Sequence, residues 1–544
     1  MKLRYLIYAL TFGLCLTSCN KWLREEQPNE SKLGDFFVTR SAAEQAVNGC
    51  YVPMTWNLGG TYCNEWLIGD IASDDAIKGG EYLKDMPAAF DICKFQVVPS
   101  NGLLEAFYNA QFIGIGRCNQ AIASIREMTL PEDMTETDRS RFIAEAEFMR
   151  AFYYFRLVRL FGGVPYTTEP ILDSRDWKKQ RESAEKIYEL IISDLEAAEA
   201  VLPKCDEYAA TELGRATKGA ADALLMKVNL YRKNYDEVLK WGKSIIGSGK
   251  YDLAPDYFSQ FLPENEWNIE SVFEINYVED MYSDYGGFGF TRGSFSTIMM
   301  RPRSAKVGGV SGWGYDRPTW DLYAEYETGD PRRDWTILQQ LPSEVENETA
   351  EVQYANYFYN RKYQQEQYPA SAEAVAKGLR FDFPELGHPS RAGLNWKEIR
   401  YADVLLMYAE AAIESGKELD LAKTYINKVR HRASASLPEV EATRESLRHE
   451  RRVELAMEGH RWFDLCRWGI AKETMNAYRE KFKIANWSSL KAEYPFISGI
   501  DASRFELLDG DDMNEFKDCL SYAYSSRGSP HCGSGAESRV LEYG

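Results

Sequence analysis

The chain is poor in the residues that most often perform chemistry, and past its first residues it has no long apolar run. Five histidines are scattered over 544 residues. They form no HExxH pair and meet no paired cysteines, so the usual sequence forms of a zinc site are missing. No glycine-rich phosphate loop and no nucleophile elbow occurs. Ten cysteines contain no CxxC, and their spacing fixes neither a redox motif nor a disulfide connectivity. No metal or cofactor is expected. Basic residues are outnumbered, 64 against 83 acidic ones, for a net charge of −19. Nucleic-acid binding needs a basic footprint and is therefore not expected. After Leu16 no stretch approaches the roughly 20 apolar residues of a membrane-spanning helix.

What is present begins at the N-terminus. Lys2 and Arg4 precede a short apolar segment, Leu3–Leu16, and then Leu16-Thr17-Ser18-Cys19. This order reads as a lipoprotein signal, residues 1–18, cleaved before Cys19, which would carry lipid. Removing it takes away two basic side chains and leaves the chain still more acidic. Residues 19–35 are polar and read as a tether. Aromatics make up 13% of the chain, with 34 tyrosines and 13 tryptophans, more than core filling alone demands.

Helical periodicity dominates from residue 36 onward. Ser41 is the expected cap of a helix ending before Pro53, and residues 103–128 form a second helix. Arg141–Phe161 is a third, stopped by Gly162-Gly163 and Pro165, and Ser183–Leu202 a fourth. Two stretches have the pattern of tetratricopeptide-type helical hairpins. In one, a helix through Ala220–Tyr231 turns at Lys233-Asn234 into Tyr235–Ile246. In the other, Tyr401–Glu414 turns at Ser415-Gly416 into Leu419–Arg432. Their separation rules out a simple tandem array in sequence. Ser446–Trp468 is expected as one long helix. Residues 57–102 and 277–345 are irregular and rich in glycine and aromatics, which favours ordered binding loops over linkers.

Several strings resemble the SusD/RagB family: Ala42–Tyr51 (AAEQAVNGCY), Ile71–Gly80 (IASDDAIKGG), Ala144–Tyr166, Gly214–Lys218 (GRATK), Gly312–Tyr323 (GWGYDRPTWDLY), Ile399–Glu410 (IRYADVLLMYAE) and Glu450–Gly469 (ERRVELAMEGHRWFDLCRWG). They occur in the family's order over residues 19 to 470. The resemblance implies a mainly α fold, with tetratricopeptide-like hairpins building an α/α superhelical scaffold and long irregular loops building a ligand site. It implies an N-terminal region over 36–264 and a C-terminal region over 265–514. It also implies a surface-exposed lipoprotein of the outer membrane that binds oligosaccharide or polysaccharide without catalysis and delivers it to a SusC-like TonB-dependent transporter. Peptide or other nutrient binding within the same family is the alternative.

Glycan binding needs flat aromatic faces for sugar C–H groups and a few polar side chains for hydroxyls. Tyr282, Tyr285, Phe288, Trp313 and Tyr315 are the aromatic candidates, and Asp74 and Asp75, in a glycine-bounded loop, are the polar ones. A secreted hydrolase would have to draw on Asp74, Glu458 or His460. Adjacent aspartates on one loop rarely face each other across a bond, and the arginines around His460 and Asp464 read as an ion-pair network. No catalytic residue is expected.

The end of the chain departs from the family, whose members usually finish with Pro-Ile-Pro and then Gln-Asn-Pro-Gly-Tyr. Residues 515–544 form an atypical tail, and Ser521–Gly544 shows little hydrophobic periodicity. Allowed codons for Ser521–Ser525, read one nucleotide later, give Pro-Met-Pro-Ile-Pro, and those for Ala536–Val540 give Gln-Asn-Pro-Gly-Tyr. A frameshift in the gene or its sequencing is the expectation, and the nucleotide sequence decides it.

Overall fold

A computed structural model describes residues 37–57, 65–80, 85–173, 175, 178–279, 293–302, 312–339, 358–364, 392–481 and 487–493. Helices of eight residues or more are α1 (Arg40–Tyr51), α2 (Gly102–Glu127), α3 (Glu136–Phe161), α4 (Ala184–Glu199), α5 (Lys218–Tyr231), α6 (Tyr235–Gly247), α7 (Tyr401–Ser415), α8 (Leu419–Ala433), α9 (Arg444–Leu455), α10 (Arg461–Trp468) and α11 (Ala471–Lys481). Cys19, Tyr282, Tyr285, Phe288 and the tail lie outside the described residues.

Local chemistry sets the helix ends. Thr39 caps α1, its hydroxyl accepting from the Ala42 amide at 3.1 Å, because Thr39 has the extended backbone a cap requires. Ser41, the expected cap, sits inside the helix and accepts from the Gln45 side chain. Helix α3 starts at Glu136 rather than Arg141, since Thr135 and Asp138 form a reciprocal capping box. Gly416, in left-handed backbone, closes α7 where the sequence places the turn.

Each helix from α2 to α8 packs on the next. The two hairpins, α5–α6 and α7–α8, are distant in sequence, yet α6 lies directly against α7. Gly242 permits that approach: a Cβ there would stand 2.6 Å from the Tyr408 ring. The tandem array is interrupted in sequence and continuous in space, and the fold is mainly α with tetratricopeptide-like hairpins. Apolar burial along the stack is nearly complete, including Leu224, Leu225, Val228, Leu405, Leu406 and Met407.

Among the described residues six short strands pair antiparallel in twos: β1 (Ala76–Gly79) with β3 (Tyr315–Pro318), β2 (Ser271–Ile275) with β6 (Trp396–Arg400), and β4 (Ile337–Gln339) with β5 (Phe358–Asn360). Ile275 faces Trp396, and Ala76 faces Pro318. The described parts of the two irregular regions are therefore more regular than their composition suggests. They also hold short helices at Trp66–Gly69, Pro87–Cys93, Ser296–Met300, Trp320–Glu325 and Arg332–Thr336.

The expected single helix Ser446–Trp468 is instead two, α9 and α10. Met457 and Gly459 adopt left-handed backbone between them, at φ 63° and 78°. The Gly459 amide, freed from helical bonding, donates to both oxygens of the Asp70 carboxyl at 3.0 and 3.1 Å. A tertiary partner breaks this helix, and no proline signals it in the sequence.

Candidate functional site

The loop between Asp70 and β1 is shaped by its own side chains. The Ser73 hydroxyl donates to the Asp70 carbonyl at 2.6 Å and accepts from the Asp75 amide at 3.1 Å, which turns the two aspartates into the protein. Arg461 grips Asp74 with Nε and Nη2 at 2.8 and 2.9 Å. Arg452 reaches Asp74, Asp75 (2.7 Å), Asp321 (3.0 Å) and Glu325 (3.1 Å). Thr319 donates through its hydroxyl to the Asp74 carbonyl and through its amide to the Asp75 carbonyl. The aspartates, expected to touch ligand, are 3% and 1% exposed. They form the clasp joining their loop to α9, α10 and helix Trp320–Glu325.

Burial opposes ionisation of these groups, and neighbouring charge decides each outcome. Burial alone would raise the Asp74 carboxyl, but Arg452 and Arg461 override it and hold the group well below the usual range. Burial lifts Asp75 to about 6 against the same two arginines, with the Asp74 charge adding to the rise. Burial lifts Asp316 to about 8, opposed by the Asn360 hydrogen bond and reinforced by Asp75. Asp70 is also held well above its ordinary value, by burial and by Asp316 and Asp75. Asp75 Oδ2 and Asp316 Oδ1 are buried and have no hydrogen-bond partner among the described residues. Among those residues no group of His, Cys, Asp or Glu is disposed to hold a metal ion.

Beside this clasp stand the two described aromatic candidates. Tyr315 is buried, donates to Asp85 at 3.1 Å and lies under the Lys78 ammonium. Trp313 is half-buried, with its ring 6.4 Å from Tyr315 and 6.3 Å from Phe295. The structure thus brings Trp313 and Tyr315 together next to the β1–β3 pair. Of the two, Trp313 is the more exposed.

The enzyme-like cluster resolves into ion pairs. Glu458 binds Arg400 and Lys362, and Asp464 binds Arg451 and Arg467. Asp464 is pulled down to about 2 by Arg451 and Arg467 against burial, the reverse of what a general acid needs. Burial, aided by Lys227, pushes His460 down to about 4. Around them Arg400 also binds Glu270 and Glu454, and Arg332 binds Asp330, Glu450 and Glu454. Sequence reading identified a network in Glu450–Gly469 but not its partners. Asp316 lies inside the Gly312–Tyr323 string, but nothing local in the sequence signals which groups Asp70, Asp316, Arg332 and Lys362 would meet.

A family model described as "SusD family" matches residues 269–495, and one described as "Starch-binding associating with outer membrane" matches residues 21–230. SusD-like protein P2 of Formosa agariphila is 27% identical over 493 residues, covering 86% of this chain and 92% of that protein. Among solved structures, surface glycan-binding protein A from Bacteroides thetaiotaomicron in complex with laminarihexaose is 26% identical. It covers 80% of this chain and 91% of its own, with a TM-score of 0.68. A laminarin-binding SusD-like protein is 26% identical over 81% of this chain and 94% of its own, also with a TM-score of 0.68. With these likenesses spread over both halves and joined to the helical scaffold above, the chain belongs to the SusD/RagB family.

Proposed function

We propose that this protein captures oligosaccharide at the cell surface and passes it unaltered to a SusC-like TonB-dependent transporter. The observation that carries the reading is the shared scaffold with a relative solved holding laminarihexaose, over 80% of this chain. Cys19 anchors the chain to the outer membrane through lipid, in keeping with the family description that names outer-membrane association. Trp313 is the described aromatic contact of the site, with Tyr315 packed behind it; Tyr282, Tyr285 and Phe288 are the further expected contacts, and the Asp74–Asp75 clasp holds the loop beside Trp313. Binding needs no bond to be broken, and the clasp suits that role because Asp74 and Asp75 are buried against Arg452 and Arg461 rather than presented to a substrate.

Calorimetry with laminarin and laminarihexaose, beside a panel of other glycans and of peptides, tests the reading. The expected result is saturable binding to a glycan with no change in its chain length. Changing Tyr282, Tyr285 and Trp313 together to Ala should weaken it at least tenfold, since stacked rings are worth about 0.5–1.5 kcal/mol each. Binding to peptides alone, or turnover of any glycan, would sink the proposal. Cys19→Ala should move the protein from the membrane fraction to the soluble one.

A further inference from the structure

Every described aromatic side chain but one is buried or half-buried. The exception is Trp267, which is 39% exposed. It stands in the turn before β2 with a left-handed backbone, φ 50°. For a side chain of that size this conformation is strained, and strain of this kind persists only where surrounding contacts impose it.

The contacts that impose it come from four separate segments. The Trp267 amide donates to Glu274 Oε1 at 3.1 Å, and the indole Nε1 donates to Asn276 Oδ1 at 2.8 Å. Asn276 is itself fixed, its Nδ2 donating to the Gly214 carbonyl at 3.2 Å and its Oδ1 accepting from Asn395 at 3.2 Å. Gly214 has φ 90°, and a Cβ there would lie 2.1 Å from the Asn276 Nδ2. The segment 214–215, the turn at 266–268, strand β2 with Asn276, and Asn395 before β6 thus converge to hold one indole at the surface. A ring that merely filled space would be turned inward, as the others are. Its polar edge is satisfied by Asn276, so what it offers solvent is its flat apolar surface. Asn265 and Asn268, its neighbours in the turn, spend their amides inside it, on the Ser259 and Asn265 carbonyls.

An exposed indole, held rigidly by its own hydrogen bonds, is a surface against which the C–H face of a pyranose ring can pack. We infer that Trp267 is a carbohydrate contact in its own right, a stacking platform for one sugar unit of a polysaccharide, separate from the Trp313–Tyr315 cluster. This rests on the glycan-binding reading above. Leu213 and Ile269 are exposed nearby, which makes a protein partner the competing occupant.

The test uses the full mature chain and laminarin as the probe. Wild type, W267A and W267F are compared by affinity electrophoresis in laminarin gels, with far-ultraviolet circular dichroism as the folding control. W267A should bind about 3- to 10-fold more weakly, and W267F should stay within about 3-fold of wild type because a ring face remains. Oxidative footprinting of the wild type, read by mass spectrometry, needs no variant, and saturating laminarin should protect Trp267. If wild type binds laminarin while W267A binds equally well and Trp267 is oxidised at the same rate, the inference is overturned. Loss of binding to a protein partner in W267A, with laminarin affinity unchanged, overturns it in favour of the competing occupant. If wild type binds no glycan at all, it is the broader functional reading that falls, and this one with it.

Discussion

The interior of this protein is built in two ways. Helices α5, α6 and α7 bury Ala, Leu, Met and Val against one another, while α9 buries Glu450, Arg451, Arg452 and Glu454. The first kind of interior is stabilised by area removed from water and tolerates swaps of similar volume. The second gains little net stability from its charges, because removing ions from water offsets much of their attraction. What it provides is dependence: each charge is tolerable only while its partners stay. The apolar stack sets the shape of the scaffold, and the ionic centre fixes which loop lies against it and in what pose.

The comparison can be broken most severely at Arg400. Arg400→Met leaves Glu270, Glu454 and Glu458 without their shared partner, and urea unfolding should show a loss of about 3–5 kcal/mol. A loss below about 1 kcal/mol would mean that the centre is not interdependent. Leu225→Ala, in the apolar stack, should cost about 2–4 kcal/mol by leaving a cavity, with the glycan affinity of the folded protein unchanged.

A smaller effect separates the two regions by pH. Asp316 has a folded value raised to about 8, above its unfolded one. Its contribution is full below about pH 4 and is lost as pH rises through about 8, at no more than about 1.4 kcal/mol per pH unit. Asp74 has the opposite sign, being depressed, so its contribution is lost as pH falls below about 4. Melting temperatures measured from pH 5 to 9.5 should therefore decline up to about pH 8 and level off above it, and Asp316→Asn, which imitates the protonated form, should flatten that decline. An unchanged slope would remove Asp316 as its source. Smallest of all, Lys417→Ala deletes an exposed pair with Asp236 that joins α6 to the α7–α8 turn, and the unfolding midpoint should move by the equivalent of less than about 1 kcal/mol.

Sequence reading reached the apolar half of this comparison and stopped short of the other. Leu224, Leu225, Val228 and Tyr231 repeat at helical spacing, and Gly416 and Lys233-Asn234 mark the turns, so both hairpins could be read directly. That α6 meets α7 depends on Gly242 facing Tyr408, a contact without local signal. Met457 lies in left-handed backbone because Asp70, hundreds of residues earlier, takes the Gly459 amide. Asp74 and Asp75 look like solvent-facing loop residues until Arg452 and Arg461 are known to lie over them. Periodicity reports which face is buried. It does not report which charges will share the interior.

The β2–β6 pair has a consequence for how such a protein can change. Ile275 and Trp396 stand opposite each other in the pair, so the two ends of the segment between them meet at one doorway. The entropy of closing a loop grows only with the logarithm of its length, about 0.6 kcal/mol for each doubling. Residues 276–395 can therefore lengthen, shorten or be exchanged between homologues at little thermodynamic penalty, provided the anchoring pieces at 312–339 and 358–364 are kept. The doorway makes the protein a cassette holder. A chimaera carrying a relative's loops between Ile275 and Trp396, with Arg332 and Lys362 kept, should fold on this scaffold and take its ligand preference from the donor.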